Sequence, residues 1–123
     1  MSQDERPVRI SSFGFKFGDP PEGAKVVDCR ALPNPHSNPE LRRLTGKNPA
    51  VQTFVCEDYR VSKIVKNAYN RALRGEDVAF GCIGGKHRSV ALAEITARLV
   101  KAMGHSCEVV HRELGETRLI TRG

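Results

Sequence analysis

The chain has 123 residues, 39% hydrophobic and 28% charged and without a low-complexity tract, which excludes overall disorder and fits one domain that buries a core without disulfide or metal staples. No apolar run reaches the roughly 20 residues of a membrane span, and Met1-Ser2-Gln3-Asp4-Glu5 is no secretory signal, so a cytoplasmic protein with no membrane partner is expected. Twenty Lys and Arg against fourteen Asp and Glu give a formal charge of +6, which favours phosphorylated or nucleic-acid partners without choosing between them.

Residues 1–7 read as a polar, disordered lead-in. From Val8 to Phe17 apolar residues alternate with polar ones, predicting a strand with Val8, Ile10 and Phe13 on one face; Gly14 interrupts it, as glycine does at a bulge or where another group comes close. A turn at Gly18-Asp19-Pro20-Pro21 leads to a second strand over Ala24–Cys29, which runs into a proline-rich loop and sets Asp28 and Arg30 at the strand end where open α/β sheets hold ligands. Pro39–Leu44 reads as a short helix capped by Asn38 and ended by Gly46, with Arg42, Arg43 and Lys47 as a basic cluster.

Val61, Ile64, Val65, Ala68, Ala72 and Leu73 recur at helical spacing, predicting an amphipathic helix over about 58–74 that ends at Gly75. A strand over Asp77–Cys82 follows. Leu92, Ile95, Thr96, Leu99, Val100 and Met103 trace the buried face of the next helix, which Gly104 closes, and Ser106–His111 is a further strand, parallel to the one before the helix. The domain is expected to span 8–114. Residues 115–123 read as a basic tail, where Arg118 and Arg122 accompany an apolar pair, Leu119-Ile120, suited to docking or to pairing with another subunit. The fold class is α/β, a single three-layer-type domain with a mostly parallel sheet.

The chemistry gathers between Gly81 and Val90, G-C-I-G-G-K-H-R-S-V, at a strand-to-helix turn. The first N–H groups of a helix lack intrahelical partners and its dipole adds positive charge there, so an anion fits; glycines admit it closely, and Lys86, His87 and Arg88 add charge-assisted hydrogen bonds. Cys82 and Arg88 also stand at the C-x5-R-S spacing of cysteine-dependent phosphatases, in which the thiolate attacks phosphorus and the arginine clamps the phosphate. Those enzymes carry histidine where Gly81 stands here, and no Asp is marked by context as a general acid. Cys29, Cys56 and Cys107 read as reduced core thiols, and neither the cysteines nor His87, His105 and His111 have metal-ligand spacing, so no metal or cofactor is expected.

Five stretches in order, S-F-G-F-K-F-G, D-C-R-A-L-P-N-P-H, P-E-L-R-R-L-T-G, the glycine loop and V-V-H-R-E-L, resemble the C-terminal domain of the RapZ family. The resemblance implies a domain similar to a phosphofructokinase subdomain that forms homo-oligomers, senses an amino-sugar phosphate (glucosamine-6-phosphate) and carries the RNA-binding surface of an adaptor presenting small RNA to an endoribonuclease. Full-length relatives add a nucleotide-binding P-loop half, so the chain is expected to be their C-terminal half standing alone. By the same resemblance Gly84, Gly85, Lys86, His87, Arg88 and Ser89 hold the phosphate, Lys16, Asp28, Arg30 and His36 complete the pocket, and Arg42, Arg43, Lys47, Arg112 and Arg118 meet RNA. The expected role is a non-catalytic sensor. The alternative is a phosphatase with Cys82 as nucleophile and Arg88 as clamp.

Overall fold

The computed structural model describes residues 6–121. Most of the expected lead-in and Arg122 lie outside the described residues; Arg6, at its end, is tied by its guanidinium to Asp77 at 3.1 Å. Five strands, β1 (Val8–Gly14), β2 (Lys25–Asp28), β3 (Val78–Cys82), β4 (Cys107–His111) and β5 (Glu116–Ile120), form one sheet in the order β2-β3-β1-β4-β5. All neighbours are parallel except β4 and β5. With helices α1 (Pro49–Cys56), α2 (Arg60–Leu73) and α3 (Arg88–Ala102), this is a single α/β domain with a mostly parallel sheet, consistent with a three-layer α/β fold. No helix among the described residues is long and apolar enough to cross a membrane.

Strand register decides which side chains make the core. Ile10 stands beside Val78 and Val109, Ser12 beside Phe80 and His111, and Val8 beside Cys107, so one sheet face presents Val8, Ile10, Val78, Phe80, Cys82, Cys107 and Val109. These pack with Leu92, Ala93, Ala97 and Val100 of α3 and with Val51, Val61, Val65 and Ala68 of the other helices in one buried cluster. Burying a Val, Leu, Ile or Phe side chain contributes about 1.5–3 kcal/mol. Phe13 falls on the opposite face from Val8 and Ile10, because its offset along the strand from each of them is odd and side chains alternate faces. There it meets Phe15 edge to face, ring centres 4.8 Å apart.

Several elements differ from the sequence expectation. Pro39–Leu44 is a series of turns rather than a helix: Asn38 Oδ1 does accept from the Glu40 N–H at 2.9 Å, but the chain closes only single turns, Arg42 N–H to Asn38 O and Leu44 N–H to Leu41 O. The helix forms at Pro49–Cys56 instead, with Asn48 accepting from the Ala50 N–H and proline at the first position. On α3, Leu92, Thr96 and Val100 are buried as expected, whereas Leu99 and Met103 are exposed and the inner face is completed by alanines. Cys56 is exposed, not a core thiol. Residues 116–120, within the expected tail, form β5 against β4 of the same chain, placing Leu119 opposite Glu108 and Ile120 opposite Cys107.

A buried polar chain fastens this side of the sheet. Ser12 Oγ lies 2.6 Å from His111 Nδ1, His111 Nε2 lies 2.6 Å from Glu94 Oε2, and Arg118 of β5 grips both Glu94 oxygens at 2.7 Å. Burial raises the Glu94 carboxyl, but hydrogen bonds from His111 and Arg118 outweigh it and hold it at about 2, against an ordinary 4.5. A carboxyl depressed in the fold adds stability that is fully present above its unfolded pKa and lost as pH falls through the folded one. Urea denaturation at stepped pH is expected to show wild type losing on the order of 2–3 kcal/mol more than Glu94→Gln between about pH 5 and pH 2, with Glu94→Gln starting from lower stability at pH 7. Parallel curves for the two proteins would refute this.

Candidate phosphate-binding site

The site lies where β1, β2 and β3 end together, at the carboxyl edge of the sheet. Glycines are required there by contact. A Cβ on Gly14 would lie 2.7 Å from Gly84 C and 2.9 Å from Gly85 N, so the end of β1 and the turn of the loop touch through bare backbone. Gly85 adopts φ +75, and its missing side chain would meet Glu113 Cγ and Gly14 N, each at 2.5 Å. Lys16 N–H bonds Ile83 O at 3.2 Å, which ties the short 3-10 turn Phe15–Phe17 to the same loop.

α3 begins at Arg88, and no side chain caps its first turn. Its leading N–H groups are therefore available to an anion. Arg88 is 4% exposed; its NH1 donates to Arg30 O at 2.9 Å and Leu32 O at 3.2 Å, while its Nε has no hydrogen-bond partner. An unpaired donor on a buried cation is costly unless something completes it. Asp28 and Arg30 form a bidentate ion pair, with Arg30 NH2 2.7 Å from Asp28 Oδ2. The hydrogen bond from Arg30 keeps the Asp28 carboxyl below its ordinary range. The Arg30 guanidinium lies 3.9 Å above the Phe15 ring. His36 stands in its own 3-10 turn, its ring 6.2 Å from that of His87.

Cys82 is 2% exposed; its thiol bonds Ser89 Oγ at 3.1 Å and receives the Gly85 N–H at 3.2 Å. The thiol thus helps to shape the loop from below. Burial lowers the His87 pKa, which disfavours the charged ring, and its Nε2 lies 3.2 Å from the Arg42 carbonyl. At Gly81, where the phosphatases carry histidine, a Cβ would lie 2.5 Å from Phe13 Cζ and 2.6 Å from Phe15 Cε2: the aromatic pair fills the place of that side chain.

The basic residues read as RNA contacts separate into two groups. Arg42 and Arg43 are exposed on the turns beside His87, and among the described residues neither the Arg43 nor the Lys86 side chain makes a hydrogen bond or ion pair. Lys47, Arg112 and Arg118 are engaged: Lys47 pairs with Glu116 at 2.6 Å, Arg118 with Glu94, and Arg112 with Glu113 at 2.8 Å and Asp19 O at 2.6 Å. Two contributors to the site went unread in the sequence, Glu113 and the Leu32 carbonyl. Both reach it from segments that only folding brings near.

A family model described as the RapZ C-terminal domain matches residues 6–115, nine-tenths of the chain and all of the elements that build this site. The chain belongs to the RapZ C-terminal domain family. A nucleotide-binding protein of Clavibacter michiganensis subsp. michiganensis is 42% identical over 127 aligned positions, covering 91% of this chain and 43% of that protein. One from Mycobacterium bovis BCG is 43% identical over 120 positions, covering 88% and 40%, and one from Mycobacterium tuberculosis H37Rv gives the same values. This RapZ C-terminal domain therefore spans about two fifths of the length of the curated relatives it matches. The matched span ends just past Glu113 and leaves β5 outside it.

Proposed function

We propose that this domain binds a phosphorylated small molecule of the amino-sugar phosphate class, such as glucosamine-6-phosphate, between the Cys82–Ser89 loop and the ends of β1 and β2, and that it holds the phosphate without cleaving it. The observation carrying the reading is Arg88: a cation 4% exposed, with an unpartnered Nε, at the uncapped start of a 15-residue helix. A phosphate would give Nε an acceptor and neutralise the buried charge, where a bidentate guanidinium contact is strongest. Lys86 adds an exposed cation at the rim. Holding is favoured over hydrolysis because the Cys82 thiol is buried and tied into the loop by Ser89 and Gly85, and Phe13 and Phe15 fill the place of the histidine that the phosphatases carry at Gly81. RNA binding belongs to the same proposal, with Arg43 and Lys86 as exposed rim cations beside Arg42, whose Nε donates to His36 O at 2.8 Å. The nucleotide in the relatives' name is theirs.

Thermal unfolding with and without glucosamine-6-phosphate tests the reading. Ligand at 100 times its dissociation constant adds about 2.7 kcal/mol, which moves the midpoint by several degrees. RNA should form a complex whose affinity falls steeply with added salt. Absence of any shift with sugar phosphates would sink the sensor. Aryl phosphate turnover that disappears in Cys82→Ser would replace it with the phosphatase.

A further inference from the structure

Glu113 belongs to no motif role assigned above, yet it touches both glycine segments of the site. It lies in the 3-10 turn Arg112–Leu114 that follows β4, a strand separated from β3 and its loop by β1. Its side chain is 12% exposed, and Oε2 accepts two donors, the Gly14 N–H at 2.9 Å and Arg112 Nε at 2.8 Å. Its Cγ occupies the space beside Gly85 that a side chain there would need. Arg112 in turn fixes the exit of β1, reaching Asp19 O at 2.6 Å and Gly14 O and Gly18 O at 3.4 Å. His111, one residue earlier, is pinned between Ser12 and Glu94. Three consecutive residues thus divide their work between the core, the β1 exit and the phosphate loop.

We propose that Glu113 is a positioning residue of the phosphate site: its carboxylate, clamped between Gly14 N–H and Arg112, holds the end of β1 against Gly84-Gly85 and keeps the loop in its anion-receiving shape before any ligand arrives. A carboxylate beside an anion site would oppose binding by its charge. Pairing with Arg112 cancels that field locally, so the residue acts through geometry. The inference rests on the phosphate reading for its consequence, but loop shape can be read without ligand.

The test compares wild type, Glu113→Gln and Glu113→Ala in the full chain, first by the 15N-amide signals of Gly14, Gly84 and Gly85 without ligand, then by titration with inorganic phosphate and glucosamine-6-phosphate. Gln retains a carbonyl acceptor for Gly14 and the bulk beside Gly85. We expect it to move the Gly14 signal only and to weaken phosphate binding by less than about threefold, while Ala displaces all three signals and weakens binding by about tenfold or more. Unmoved Gly84 and Gly85 signals in Ala overturn the proposal, as does equal loss of binding in Gln and Ala. Should Ala fail to fold, a Gln variant whose Gly14 signal stays in place overturns it equally. Failure of wild type to bind any phosphate removes the sensor reading and leaves the amide signals to decide Glu113.

Discussion

Gly46→Ala is expected to destabilise the domain by about 3 kcal/mol or more, lowering the melting midpoint by roughly 10 °C, and to disorganise the Cys82–Ser89 loop with it. A Cβ at this position would overlap the Ala91 nitrogen and the His87 carbonyl oxygen and would stand 2.8 Å from Val90 C. All three are backbone atoms of the start of α3, so no rotamer change relieves the contact. The chain lies this close because Gly46 N–H donates to Lys86 O at 2.9 Å and Gln52 Nε2 donates to Gly46 O at 2.8 Å. Either the 42–47 segment lifts away, taking the Arg42 carbonyl from His87, or α3 shifts at the turn proposed to receive the anion. The magnitude exceeds that at a glycine whose backbone alanine can adopt without contact, where the change is about 0.4–1 kcal/mol. A circular-dichroism melt of Gly46→Ala within two degrees of wild type would show that the segment relaxes freely.

That contrast also shows what the sequence could reveal. Gly46 was legible as punctuation, and its neighbours Leu41 and Leu44 as apolar, but the reason for the glycine is a contact with His87, Val90 and Ala91, far along the chain, which no local pattern records. Strands β1 to β4 were legible as short apolar or alternating runs between turns, and the long helices because their apolar residues repeat with the helical period: Val61, Val65, Ala68 and Ala72 are all buried in α2, whereas β5 read as a tail. α3 departed from its simple stripe because it lies against the sheet and both other helices, so alanines and Glu94 serve as inner positions alongside Leu92. α1 has only eight residues, too few for its period to stand out. The strand-to-helix turn proposed to hold phosphate was legible as such a turn from local composition alone, glycines and cations between two apolar segments. Its supports were not. Arg112 and Arg118 look in sequence like any exposed cation, and only pairing of β5 with β4 brings Arg118 to Glu94.

Arg88→Met is expected to abolish stabilisation by glucosamine-6-phosphate, with affinity falling on the order of a hundredfold, while stability without ligand changes by no more than about 2 kcal/mol. Two opposing effects keep the second number small. Removing the guanidinium leaves the Arg30 and Leu32 carbonyls without their donor, which costs about 1–3 kcal/mol if water does not reach them. It also removes a buried positive charge whose Nε has no partner, and a methionine of similar length refills the apolar space. Ligand binding has no such offset, because the phosphate loses its charge-assisted contact and the site loses the cation that a phosphate would neutralise. Arg88→Lys restores charge but not the planar fork that reaches two carbonyls and a phosphate together, so it should recover only part of the affinity. Calorimetric titration beside thermal unfolding of the three proteins separates the two roles. A variant that loses several kcal/mol without ligand yet binds sugar phosphate normally once folded would make Arg88 a strut for the Arg30–Leu32 loop and move the phosphate contact to the helix N–H groups alone.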